Sequence, residues 1–143
     1  MVLRIASFGL LLLLTPLAVV PDTKKALKSL QGTWDVEKIK TKGEVRNAPD
    51  GNPIVKVTIK GNVMSVNGQK LARLKVDDST TPKLMDFEVL TGGAKGKTFE
   101  GIYKMKGKTF TFCVHVGENN NRPTSFQLGD DPQLLIFVLK RSD

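Results

Sequence analysis

From Thr33 onward the chain repeats one pattern: a short segment in which every second residue is apolar, then a turn. Such alternation sorts the side chains of an extended strand onto two faces, one apolar and one polar. The pattern is cleanest in residues 53–60, where Val55, Val57 and Ile59 alternate with Lys56, Thr58 and Lys60. It recurs in residues 33–38, with Trp34 and Val36 set against Asp35 and Glu37, and in residues 63–66, where Met64 and Val66 share a face. Ala72, Leu74 and Val76 alternate with Arg73 and Lys75, and Met85, Phe87 and Val89 with Asp86 and Glu88. Residues 99–104 and 109–116 continue the series, and residues 134–139 close it as an unbroken apolar run. Eight strands are predicted.

The punctuation between strands fixes their sense. Asn67-Gly68 tolerates positive φ at both positions and so predicts a type I′ hairpin turn. Gly61-Asn62 and Lys106-Gly107-Lys108 predict two more tight reversals. Residues 77–82 read as a turn, and residues 91–97, with Gly92, Gly93 and Gly96, as a loop. Residues 117–122 are polar and read as another. Connections this short force antiparallel neighbours. No helical period separates any two strands, so parallel crossovers are not expected. An eight-stranded meander removes its exposed edges by closing on itself. The expected fold is therefore all-β: an eight-stranded antiparallel up-and-down barrel, with an interior that suffices for its own side chains or one small ligand. One short helix, residues 24–30, is predicted ahead of the strands. Asp22 or Thr23 would cap it, and Leu27 and Leu30 share a face that must pack on the strands.

The first twenty residues stand apart. Met1 to Arg4 is short and positive, residues 5–14 are apolar and end in five leucines, and Ala18 follows Pro16. This is the layout of a secretory signal peptide, and the run is short for a membrane span. The domain plan is residues 1–20 as signal peptide and residues 21–143 as one barrel domain. The expected location is secreted or periplasmic, with cleavage near Ala18; an uncleaved anchor is the alternative, since Lys24, Lys25 and Lys28 follow. No cysteine ends the segment, which excludes a lipid-modified start. With Cys113 as the only cysteine no intrachain disulfide forms, so the fold rests on its core. The net charge of +8 is spread through the chain rather than blocked. It reads as a solvated surface, and allows weak association with an anionic envelope surface.

At Leu30-Gln31-Gly32-Thr33-Trp34 the chain carries a motif. Gly-x-Trp at the start of the first strand resembles the lipocalin signature. The set of Leu30 to Trp34, Gly96-Lys97-Thr98 with Gly101-Ile102-Tyr103, Phe112-Cys113, Arg122-Pro123-Thr124 with Phe126, and Val138 to Arg141 more closely resembles a lipocalin-like domain family common in planctomycete bacteria. The resemblance implies a calycin-type barrel and frequent export, but no ligand, because that family has no activity to carry over. Gly32 would let the chain turn into the first strand, Trp34 would plug the closed end under the helix, and Arg141 would lie across Trp34.

Chemistry-bearing residues are sparse. Cys113 and His115 are two apart on one strand face, roughly 6.5–7 Å along the chain, which is too far for a nucleophile pair. No third residue is evident to orient the histidine, which reads as surface-leaning, and the thiol reads as packed. One histidine and one cysteine make no familiar zinc site. Asp77-Asp78 and Asp130-Asp131 read as turn residues without calcium-loop spacing. The pairs Asp35/Glu37 and Asp86/Glu88 face away from their apolar sides, unlike a glycosidase pair. Gly92-Gly93 with Gly96-Lys97 lacks P-loop spacing and a following helix. Phe110 and Phe112 alternate with threonines as a core face does, not as a nucleic-acid platform. The expectation is a non-enzymatic binding module without metal or cofactor and without nucleic-acid partner, carrying a small apolar or amphipathic ligand in the barrel. The alternative is a barrel filled by its own side chains that works through its outer face on a protein or envelope surface. Ligand-binding residues and oligomeric state stay open at this level.

Overall fold

The computed structural model describes residues 23–49, 51–118 and 121–142. Residues 1–20, expected to be a signal peptide, and Asp22, one of the two expected caps, lie outside the described residues. Helix α1 (Thr23–Leu30) is followed by β1 (Gly32–Thr41), β2 (Glu44–Asn47), β3 (Lys56–Lys60), β4 (Val63–Val66) and β5 (Gln69–Asp77). Then come β6 (Lys83–Val89), β7 (Thr98–Lys106), β8 (Thr109–His115) and β9 (Leu134–Arg141). All pairings are antiparallel between sequence neighbours, except that β1 pairs with β3 and with β9. Those two pairings close eight strands into an up-and-down lipocalin-like barrel. The ninth strand, β2, was not predicted: Glu44, Val45, Arg46 and Asn47 are exposed on both faces and carry no apolar stripe. It forms because the turn at Lys42-Gly43 folds the chain back onto the far half of β1, pairing Lys38 with Asn47 and Thr41 with Glu44. The third strand is shorter than predicted. It begins at Lys56, while Ile54 and Val55 stay tied to β1 through their bonds with Val36. The I′ turn is as expected, with φ of 49° at Asn67 and 86° at Gly68.

One end of the barrel is closed, and the closure is built on α1. A helix leaves its last four carbonyls without intrahelical partners. Here each finds a donor. Leu27 O accepts from Gln31 Nε2 at 3.0 Å, and Lys28 O from the Gln31 amide at 3.4 Å. Ser29 O accepts from Arg141 Nη2 at 3.1 Å, and Leu30 O from Trp34 Nε1 at 2.9 Å. Gln31 also accepts the Gly61 amide proton through Oε1 and donates to Gly61 O, which ties the helix to the β3–β4 turn. The short helix is therefore held by tertiary bonds that its own length could not supply. Its buried face, Ala26 and Leu30, lies on the barrel core.

Trp34 is fully buried beneath this cap, its ring 5.3 Å from Phe110 in an edge-on arrangement. Tyr103 also meets Phe110 edge-on, at 6.1 Å. Ile59, Met85 and Leu139 are also fully buried, so the closed half of the barrel is packed with side chains. Burial pushes the Tyr103 hydroxyl up to about 12, with the charges of Asp78 and Asp77 adding to the effect.

The unbroken apolar run of β9 has a specific cause. Phe137 and Leu139 pack into the barrel core, whereas Leu134 and Ile136 join Ile102 and Cys113 in a second, smaller cluster. Residues 121–133 fold back over this cluster as a strap and pack Phe126 and Leu128 against it. Strands buried on both faces lose their alternation. Arg122 fastens the strap. Asp86 and Glu100 are directly opposite one another across β6 and β7, and like charges in that position repel. Arg122 neutralises both, with Nη1 2.7 Å from Asp86 and Nη2 2.8 Å from Glu100, and it donates to Gly101 O at 2.8 Å.

Candidate ligand site in the barrel

The open half of the barrel holds a cavity of about 410 Å³ whose lining is wholly apolar. β1 supplies Val36 and Ile39, β3 and β4 supply Val57, Met64 and Val66, and β6 supplies Phe87 and Val89. Phe99, Val114 and Leu135 complete the wall from β7, β8 and β9. Phe112 stacks on Phe137 at 4.7 Å and tilts against Phe87 at 5.2 Å, which groups three rings on the lining. Small-molecule pockets fall in the range of roughly 300–1,000 Å³ and are predominantly apolar. This cavity meets both criteria.

Two bulges shape it. Between β1 and β9 the register jumps from Val36↔Leu139 to Lys38↔Val138, leaving Glu37 as the extra residue. The jump shifts the phase, so that Ile39 rather than Lys38 lines the cavity, opposite Phe137. Between β4 and β5 the register jumps from Met64↔Ala72 to Ser65↔Lys70, and Leu71 is the extra residue. Leu71 consequently lines the cavity beside Ala72, where strict alternation would send it outward. Bulges at barrel rims re-aim side chains in this way. Leu71 remains 42% exposed and Val116 40% exposed, so the cavity has an apolar lip that water touches.

A second hollow, of about 580 Å³, adjoins the lip. It is lined by Lys97, Thr98, Phe99, Val116, Gly117 and Glu118, and shares Phe99 and Val116 with the apolar cavity. Backbone bonds hold Lys97 on one wall and Val116 on the other. Lys97 O accepts from Val89 N and Lys97 N donates to Ala94 O, each at 2.9 Å, while Val116 N donates to Gln133 O at 2.9 Å.

The structural residues singled out from the sequence come together at the opposite end. The Arg141 guanidinium lies 4.1 Å from the Trp34 ring centre, and its Nη1 donates to Gln31 O at 2.8 Å. Gly32 adopts φ of +116°, and a Cβ there would lie 3.0 Å from Arg141 Nη1. None of the three lines the apolar cavity.

Cys113 and His115 sit on the outer face of β8, beneath the strap. The thiol is fully buried, and desolvation pushes it up to about 11. His115 departs from expectation in two respects. It is buried rather than surface-leaning, because the strap covers it. It also has an orienting partner: its Nε2 lies 3.2 Å from Asp131 Oδ2, while its Nδ1 accepts from Gly117 N at 3.2 Å. Both ring nitrogens are thus engaged. Asp131 doubles as a turn residue by accepting the Gln133 amide proton. Asp77 likewise accepts from the Ser79 amide and hydroxyl, and those bonds hold its carboxyl below the usual range. Asp35 pairs with Lys56 at 2.8 Å on the outer surface. Among the described residues no three His, Cys, Asp or Glu side chains gather closely enough to hold a metal ion.

The cavity lining was not identified from the sequence, which gives the inward parity but not the space left between facing side chains. Apolar residues continuing to one end of several strands, Val66, Val89, Phe99 and Val116, are the signal that points to it. Fold and site together define a closed antiparallel barrel with a plugged end and an apolar chamber. Comparison of the chain with known protein families, with curated proteins and with solved structures gave no match.

Proposed function

We propose that the protein is an exported, non-enzymatic binding module that carries a small apolar or amphipathic molecule in its barrel. The observation that supports this reading is the 410 Å³ chamber, walled only by apolar side chains and opening past Leu71 and Val116. Burying a polar group there without a partner costs roughly 2–7 kcal/mol, so the chamber selects hydrocarbon. The reading accounts for the side chains elsewhere as structural: Arg122 fastens the strap, Arg141 and Trp34 close the end, and His115 ties Asp131 to Gly117. The charged start and apolar stretch in residues 1–20 support export. A chamber of this size counts against the alternative of a barrel filled by its own side chains.

The test is titration with N-phenyl-1-naphthylamine, whose fluorescence rises in apolar surroundings. The wild-type protein should bind it saturably, and Ala72→Phe, which projects a ring into the chamber, should weaken binding at least about tenfold. Equal binding by both proteins would refute the reading. Fractionation of the source cells should find the protein outside the cytoplasm, shortened near Ala18.

A further inference from the structure

The hollow beside the lip differs from the chamber in character. Its walls carry one cation, Lys97, one anion, Glu118, and the Thr98 hydroxyl. Lys97 and Glu118 are both exposed, and among the described residues neither side chain takes part in an ion pair or hydrogen bond. The two spaces are neighbours at the barrel mouth, with Phe99 and Val116 lining both.

We propose that chamber and hollow form one bipartite site for a single-chain amphiphile with a zwitterionic head: the hydrocarbon chain lies in the barrel and the head lies between Lys97 and Glu118. This rests on the carrier reading above and specifies its ligand class. The chamber offers no polar atom to a head group, so the head must stay outside it. A head with one charge would be drawn to one wall of the hollow and repelled by the other. A head with both signs gains from both. Backbone bonds hold Lys97 on one wall, and on the other they hold Val116 and Gly117, the two residues that lead into Glu118. Taking each methylene-sized group as near the ~30 Å³ that a water occupies in the liquid, 410 Å³ holds roughly fourteen of them. One chain of about that length fits, and two do not.

The experiment is displacement of bound N-phenyl-1-naphthylamine from the purified protein by two amphiphiles with the same ten-carbon chain. One is decanoyl lysophosphatidylethanolamine, which is zwitterionic, and the other is monodecanoylglycerol, which is neutral. Both should displace the probe. Lys97→Gln and Glu118→Gln should each weaken the zwitterion by about two- to fivefold, the range of an exposed ion pair. Neither substitution should change the affinity of the neutral amphiphile. If Lys97→Gln weakens the zwitterion while Glu118→Gln tightens it, the site reads an anion and the proposal falls. It falls equally if neither substitution has an effect. Failure of the neutral amphiphile to displace the probe from wild type would strike the carrier reading itself.

Discussion

Replacing Trp34 with alanine tests how much of the fold hangs on the closed end. The ring is fully buried, and a buried aromatic removes about 150–250 Å² from water, worth about 4–6 kcal/mol at 25 cal/mol per Å². That is an upper bound, because the unfolded chain already shields part of the ring. Alanine also leaves Leu30 O without its donor and Arg141 without its aromatic face. The expected loss is about 3–5 kcal/mol, as for other large-to-alanine changes in packed cores. For a domain of this size that lowers Tm by roughly 12–20 °C, taking about 4 °C per kcal/mol. Unfolding in urea should be followed by far-UV circular dichroism, since Trp34 is the only tryptophan and its fluorescence goes with it. Trp34→Phe, which keeps a ring but loses the indole N–H, should cost about 1–2 kcal/mol. Arg141→Met should cost about 1–2 kcal/mol, and the two sites should couple by about 0.5–2 kcal/mol in a double-mutant cycle, the range of a cation over an aromatic face. A loss below about 1 kcal/mol for Trp34→Ala would refute the assignment of Trp34 as the plug.

Three further outcomes follow from the same geometry. Gly32→Ala should destabilise the domain by about 1–3 kcal/mol in urea unfolding, because its φ of +116° strains any Cβ and Arg141 Nη1 stands 3.0 Å from it; an unchanged midpoint would contradict this. Folded Cys113 should alkylate slowly with iodoacetamide at pH 7, and Arg122→Ala should accelerate alkylation by loosening the strap while the barrel signal in circular dichroism persists; rapid labelling of the wild type would sink the buried-thiol account. Stability should be lost in alkaline solution: the Cys113 thiol is raised from 9.0 to about 11 and the Tyr103 hydroxyl from 10.0 to about 12, so the protonated forms favour the native state. Their contributions are fully present below pH 9 and 10 and fade as pH rises through 11 and 12, by about 2–3 kcal/mol each; a flat unfolding free energy from pH 8 to 12 would refute them.

The sequence by itself determined the closed barrel and its inward set. Val57, Ile59, Ala72, Leu74, Val76, Met85 and Phe87 are buried where period two placed them, because in an extended chain parity alone assigns a side chain to a face. Glycine and asparagine set the hairpins for an equally local reason, since positive φ is a property of single residues. Parity fails at Glu37 and Leu71, where an extra residue is absorbed as a bulge. A bulge depends on the partner strand, so Ile39 and Leu71 could not be placed in the chamber from their own segments. Only the tertiary structure decided that β2 adds to β1, and that the strap buries His115 against Asp131. The docking of Arg122 rests on Asp86 and Glu100 meeting across two strands. The chamber belongs to the same class. Whether a barrel is hollow or filled depends on the summed volumes of side chains from eight strands at one height. No single segment carries that sum, and the packed half around Trp34 and the open half around Phe112 are written in the same alternation.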